Sequence, residues 1–336
     1  MTNSSEINLP MQCWPLLAQY ARTHSLAEGR LFYYDTGGAG RVGQENTASR
    51  AGTASARRPV LILVHGLGDE ADSFRHIIPP LAQSGFRVIA PDLPGFGRST
   101  GCSSESSTSH NTSIPWKGKI SLLNHARAVI ALMEEKGEVS AEKPAVLIGS
   151  SMGAMISQLI AAQRPELVKG IILIDGCHPL SGSFNLGLLL MALPFLGKKW
   201  YRNFRKNHEG AWKSLYPYYR DLDALSAEDK KFLRERVINR VESYCQECAY
   251  FSSLRSLINF SIFENKNFSR RMKFFTGKIH LLWGEKDRII PFKQTTRFRS
   301  LHPGANFQLI TGAGHLPHQE TPAQTAQAII SWLANV

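Results

Sequence analysis

Gly149-Ser150-Ser151-Met152-Gly153 constrains this chain more than any other stretch of it. The five residues follow the apolar run Pro144-Ala145-Val146-Leu147-Ile148 and precede a helical pattern, Ala154 to Gln163, that Pro165 breaks. A strand that passes at once into a helix must turn sharply at the residue between them. That residue takes a positive φ, which is costly for anything but glycine. Strand and helix can approach this closely only where the residues two before and two after the turn are almost free of side chain. Glycines at 149 and 153 meet that need for Ser151 and not for Ser150, so Ser151 is the turn residue. An exposed serine at a helix start sits where backbone N–H groups and the helix dipole favour negative charge. That suits a nucleophile whose intermediate is an oxyanion. G-x-S-x-G also arises by chance, so the reading depends on partners.

A serine nucleophile needs a base, usually histidine, and a carboxylate to orient it. Lys278 to Trp283 reads as a buried strand, followed by Gly284-Glu285-Lys286-Asp287. A carboxylate just past a strand end is well placed for a site at the carboxyl edge of a parallel sheet. Asp287 is preferred over Glu285, and Asp175, after the strand Gly170 to Ile174, ranks third. Asn306 to Ile310 leads into Thr311-Gly312-Ala313-Gly314-His315, whose glycines can present His315. His318 follows too far on and reads as a neighbouring loop residue.

The chain order Ser151, Asp287, His315 is the one associated with α/β-hydrolases, and further segments agree. Val60 to Gly68, with His65-Gly66-Leu67-Gly68, resembles the family's strand-then-HGxG segment. Asp92-Leu93-Pro94-Gly95-Phe96-Gly97-Arg98-Ser99 resembles its D-x-P-G-x-G-x-S loop, and Gly284 to Asp287 its G-x-x-D acid loop. The chain thus resembles the α/β-hydrolase superfamily of the helical-cap kind over residues 30–100, 120–176 and 276–336. The resemblance implies an α/β fold: a mostly parallel, doubly wound sheet with an inserted helical cap. The core would span 1–176 and 276–336, with a cap or lid at 177–275. It implies Ser151, Asp287 and His315 as catalytic residues. It places the oxyanion hole at the N–H groups of Leu67 and Met152, and His65 and Gly66 beside the substrate. Asp92 would brace a loop near the site.

The core alternates strands near 60–64, 86–90, 145–149, 170–174, 279–283 and 306–310 with helices near 73–84, 121–136, 152–163, 292–301 and 322–334, a doubly wound pattern. Between 177 and 275 the signal is helical. Glu228 to Tyr250 sets charged residues on one face and Phe232, Leu233, Val237, Val241 and Tyr244 on another. Phe184 to Leu196 is apolar almost all round, so it needs cover on more than one side. It is either buried between cap and core, or it lines an acyl-sized pocket above Ser151 or touches a lipid surface. Leu188, Met191 and Phe195 are the substrate-contacting candidates there. The cap is basic, with 17 Lys plus Arg against 9 Asp plus Glu, or +8 of the chain's +12. Gly197 to Lys206 interleaves basic residues with aromatics. Such a surface beside an apolar entrance attracts anionic amphiphiles, an anionic membrane surface or an acidic carrier protein. No recognition motif points to nucleic acid.

No run reaches the ~18 apolar residues of a membrane span, and Met1 to Gln12 lacks a secretory pattern. The five cysteines, at 13, 102, 177, 245 and 248, have no framework spacing, and Cys245-Gln246-Glu247-Cys248 has no second pair to complete a metal site. Reduced thiols and a cytoplasmic location are expected. Gly37 to Arg58 and Thr100 to Thr112 read as surface loops. The expected activity is hydrolysis of carboxylic esters with a hydrophobic acyl chain, needing no metal or organic cofactor. The same triad also serves thioesterases, carbon–carbon bond hydrolases and perhydrolases. A non-catalytic ligand-binding or signalling module on this fold is the alternative of a different class. Oligomeric state is not legible from the chain.

Overall fold

Runs of apolar residues short enough for strands, alternating with helical stretches, assemble into one eight-stranded sheet in the computed structural model of the chain. The structure describes residues 11–26, 29–38, 58–99, 120–177 and 186–336. The two expected surface loops lie outside these, apart from Gly37, Gly38 and Arg58. The strands are β1 (Ala21–Leu26), β2 (Gly29–Asp35), β3 (Leu61–Val64), β4 (Val88–Pro91), β5 (Ala145–Ser150), β6 (Val168–Ile174), β7 (Lys278–Gly284) and β8 (Asn306–Ile310). Their order is β1-β2-β4-β3-β5-β6-β7-β8. From β4 to β8 every pairing is parallel, whereas β1 and β2 pair antiparallel and β2 joins β4 antiparallel. β3, β4 and β5 are buried along their whole length, as strands covered on both faces must be. Alternate residues serve the two faces. Ile62, Val64 and Leu147 pack toward α2 (Leu122–Glu135) and α3 (Met152–Gln163). Leu61, Leu63, Val146 and Ile148 pack toward α1 (Ile78–Gln83) and the C-terminal helix Pro322–Leu333.

β1 was not foreseen. Its residues, Ala-Arg-Thr-His-Ser-Leu, lie on the sheet edge with no fully buried position, so they carry no apolar alternation. Its whole length pairs with β2, from Ala21 opposite Tyr34 to Leu26 opposite Gly29.

Between β6 and β7 the chain leaves the sheet for helices. These are α4 (Leu186–Ala192), α5 (Leu196–Lys206), α6 (His208–Lys213), α7 (Ala227–Glu242), α8 (Tyr244–Asn259) and α9 (Asn265–Met272). The single pattern read from Glu228 to Tyr250 is two helices. Ser243 ends α7 and caps α8, its hydroxyl accepting from the Gln246 N–H at 3.3 Å. Buried ion pairs fasten this insert to the core. Arg236 of α7 lies 3.4 Å from Asp72 and 3.7 Å from Glu70. Asp72 also accepts from the Tyr34 hydroxyl at 2.6 Å and pairs with Arg98 at 2.6 Å. Asp229 at the start of α7 meets Arg75 and His76, each at 2.7 Å. Within the insert, buried Glu247 holds Arg202 and Arg205.

Two expectations are corrected. The apolar run near Leu193 is not covered all round: Leu189, Leu190, Leu193, Phe195 and Leu196 are exposed. α4 is only seven residues long and ends near Pro194, so only one side of it packs on α5 and α8. The cysteines are not all reduced. Cys245 is disulfide-bonded, whereas Cys13, Cys177 and Cys248 are free, so the C-x-x-C pair does not act together. Among the described residues no helix is long and apolar enough to cross a membrane.

Candidate active site

Four strand ends meet at the carboxyl edge of the parallel sheet, and each delivers one polar residue. Ser151 follows β5, Asp175 follows β6, Asp287 lies three residues past β7, and His315 five past β8. Ser151 has φ 53° and ψ −115°, a strained conformation for a residue with a Cβ. Its N–H donates to the Ile174 carbonyl at 2.9 Å. The two glycines are required. A Cβ on Gly149 would run into the Gly153 backbone, and one on Gly153 into the Val64 carbonyl. Gly66 passes so close that its Cβ would stand 3.3 Å from that of Ser151.

His315 donates from Nδ1 to Asp287 Oδ2 at 2.9 Å, and both side chains are almost fully buried. The other Asp287 oxygen accepts from the N–H groups of Ile289 (2.7 Å) and Ile290 (3.1 Å). Burial alone would push the Asp287 carboxyl up, but His315 and these two amides together hold it below the usual range. With Nδ1 carrying the proton, Nε2 keeps its lone pair. Nε2 is buried and has no partner among the described residues. Glu285, by contrast, is taken up by the Gly312 N–H and Lys286 at the surface.

Ser151 and His315 line one cavity of about 180 Å³. Gly66, Leu67, Gly68 and Asp69 form one wall, and Met191, Trp200, Tyr201, Phe204, Tyr218, Tyr250 and Arg240 form the roof. A larger depression of about 700 Å³, around Arg127, Glu134, Arg164 and Arg271, is open surface that includes neither residue. Leu67 borders the cavity, and its N–H has no backbone acceptor among the described residues. Met152 is the first residue of α3, so its N–H has no partner within the helix.

Of the other sequence candidates, Gly66 and Met191 line the cavity, whereas His65 and Phe195 do not. His65 is fully buried and ties two loops together. Nδ1 donates to the Gly66 carbonyl at 2.8 Å, and Nε2 accepts from the Leu93 N–H at 2.9 Å. Burial lowers its pKa, keeping it neutral for that role. Phe195 is turned outward and is 90% exposed. The Leu188 side chain lies outside the described residues. Asp92 braces the loop as expected, accepting from Ala71 N–H (2.8 Å) and from Arg98. His318 is buried against Ser73, whose hydroxyl donates to Nε2 at 2.9 Å, and burial brings its pKa to about 3.

Two residues gained importance from the structure. Arg240, from α7, enters the cavity roof and pairs loosely with Glu70 (3.6 Å) and Asp69 (3.8 Å). Asp175 is wholly buried at φ 45°, and its Oδ1 accepts from the Gly284 N–H at 2.8 Å. One donor atom each from Asp175, Asp287 and His315 lie within 4.8 Å of one another. Burial, and then the charge of Asp287, push the Asp175 carboxyl well above the usual range, whereas its neighbour Asp287 is held below it. This trio is a group of metal-ligating residue types, but the Nδ1–H bond to Asp287 occupies atoms a metal would need.

Comparison with known proteins agrees with this fold. The family described as alpha/beta hydrolase fold matches residues 59–322. The chain is 28% identical over 279 residues to the uncharacterized hydrolase YugF of Bacillus subtilis, covering 82% of this chain and 90% of the relative. It is 22% identical over 295 residues to a 2-hydroxy-6-oxononadienedioate/2-hydroxy-6-oxononatrienedioate hydrolase of Pseudomonas sp., covering 87% and 94%. Among solved structures, a thermophilic esterase from Thermogutta terrifontis superposes with a TM-score of 0.65 at 18% identity, over 94% of this chain and 98% of that one. The sheet order and the family match over most of its length make this chain a member of the α/β-hydrolase fold family.

Proposed function

We propose that the protein is a serine hydrolase that cleaves carboxylic esters with a hydrophobic acyl chain. One observation carries the reading: a buried histidine, oriented by Asp287, leaves Nε2 unpartnered in a cavity that also holds the strained Ser151. Ser151 Oγ attacks the ester carbonyl carbon while His315 Nε2 takes its proton. The tetrahedral oxyanion forms between the amides of Leu67 and Met152. Collapse expels the alcohol, which receives the proton from His315, and leaves an acyl group on Ser151. Water, deprotonated by the same nitrogen, then releases the acid. Asp287 holds the imidazole tautomer and stabilises the imidazolium. Each oxyanion donor is worth about 10²–10³ in rate.

The cavity wall is largely aromatic and aliphatic, which supports an apolar acyl group. At about 180 Å³ it is below the roughly 300–1,000 Å³ of typical small-molecule sites. A long chain therefore needs the Met191–Trp200–Phe204 side to widen. The test is a chain-length series of p-nitrophenyl esters with the matching thioesters, run beside Ser151→Ala. The variant is expected to lose both turnover and organophosphate labelling while remaining folded. Undiminished labelling removes Ser151 as nucleophile, and equal kcat/KM for acetate and octanoate removes the acyl preference.

A further inference from the structure

The outer end of the helical insert carries apolar surface that the fold leaves open. Between residues 189 and 200, Leu189, Leu190, Leu193, Phe195, Leu196 and Trp200 are all exposed, Phe195 at 90%. Single exposed apolar side chains are ordinary, but a cluster of this kind marks an interaction site. On α5 the spacing puts Leu196, Lys199, Trp200 and Asn203 on one face, so the apolar patch and the positive charge adjoin. No acidic residue occurs from Leu186 to His208. Lys198, Lys199 and Lys206 make no ion pair among the described residues, whereas Arg202 and Arg205 are held by Glu247. Their charge is thus uncompensated on this face.

We propose that this patch docks the protein on an anionic lipid surface. Phe195 and the leucines on the short α4 and the turn after it would enter the acyl boundary, Trp200 would lie at headgroup depth, and the lysines would reach lipid phosphates. A second copy of the chain is a poor occupant, because a twofold contact sets these lysines against one another. Trp200, Phe204 and Met191 also line the cavity that holds Ser151. Docking therefore brings the cavity to the membrane, and the substrates would be esters presented by the bilayer. That last clause rests on the proposed ester hydrolysis; the docking does not.

Sedimentation of the full chain with phosphatidylcholine vesicles, with and without phosphatidylglycerol, tests it across a salt series. Binding is expected only with phosphatidylglycerol and should fall as salt rises. Lys198→Gln with Lys199→Gln should lower the partition about thirtyfold, and Phe195→Ser about tenfold or more. The double lysine variant should hydrolyse a short soluble ester at the unmodified rate, which shows that it is folded. Ser151→Ala, inactive if the proposed mechanism holds, should bind vesicles normally, so loss of catalysis and loss of docking are read separately. Equal binding to both vesicle types, unchanged in the variants, overturns the proposal. So does a dimer in light scattering that Phe195→Ser dissociates while vesicles bind nothing.

Discussion

Replacing Asp287 by alanine leaves a second carboxyl within reach of His315. In the intact site the Asp175 carboxyl is held well above the usual range, first by burial and then by the charge of Asp287 beside it. Removing Asp287 removes that repulsion and leaves burial as the opposing cost, so Asp175 ionises only as far as the imidazolium draws it. At the full 4.8 Å that bounds the three groups, and an effective dielectric of about 20, the attraction is about 3.5 kcal/mol. That is about two and a half decades in rate. Loss of the triad acid with nothing in its place costs about 10⁴. Asp287→Ala is therefore expected to lose at least about 30-fold in kcat/KM but less than the full ~10⁴, on the same arithmetic. Asp175→Asn added to it should lose more, up to about 300-fold. Asp175→Asn alone keeps a hydrogen-bond donor beside Asp287 and should stay within about tenfold of the unmodified protein. The assay is kcat/KM for a p-nitrophenyl ester, with thermal melts confirming that each variant folds. Equal activities for Asp287→Ala and the double variant would refute the reasoning, because they would show that Asp175 never reaches the histidine.

Ser151→Gly should relieve backbone strain of about 1–3 kcal/mol, less about 0.4–1 kcal/mol for the freer unfolded chain. Ser151→Ala keeps its Cβ and should gain none of this, so urea midpoints of the two inactive variants are expected to differ. Arg236→Met takes one cation from Asp72, which keeps Arg98, and one from Glu70, which keeps Arg240, and should cost about 1–3 kcal/mol in chemical denaturation. Asp229 supplies a pH test. Burial raises its pKa, but His76, Arg75 and Ser226 outweigh it, so the folded value is lowered. Its contribution is then present above the unfolded value near 3.9 and fades as pH falls through the folded one. Asp229→Asn should melt lower at neutral pH and converge with the unmodified protein in acid; a gap that stays constant would count against the pairing.

The parallel part of the sheet was legible because strands buried on both faces are written as continuous apolar runs, as in Val146-Leu147-Ile148 and Ile171-Ile172-Leu173-Ile174. β1 was not, because an edge strand with partly exposed faces carries no such run. The placement of the candidate residues was legible where glycines fix a turn, as around Ser151, or where a carboxylate follows a strand end, as at Asp287. His65 shows the limit: its position beside the cavity wall was readable, but which way the ring faces depends on Leu93, far along the chain. Arg236 and Arg240 were read only within the charged face of Glu228 to Tyr250, because their partners Glu70, Asp72 and Asp69 lie more than 160 residues away in sequence. Phe195 misled for a different reason. Composition records that a run is apolar, but not that its helix is too short to be packed on every side.

The insert touches the histidine loop through its backbone. The His315 N–H donates to the Tyr218 carbonyl at 2.8 Å, and Glu320 accepts from the amides of Gly314, Arg220 and Asp221. A Cβ on Gly314 would stand within 3 Å of Tyr218, Tyr219 and Arg220 backbone atoms, so the two segments are pressed together. Swinging the 218–221 strap outward would pull away the amide anchor of the very loop that aims the imidazole. This side of the roof is a fixed hinge post. An opening on the opposite side, where Met191 of α4 and Trp200 and Phe204 of α5 line the cavity, would leave that anchor in place.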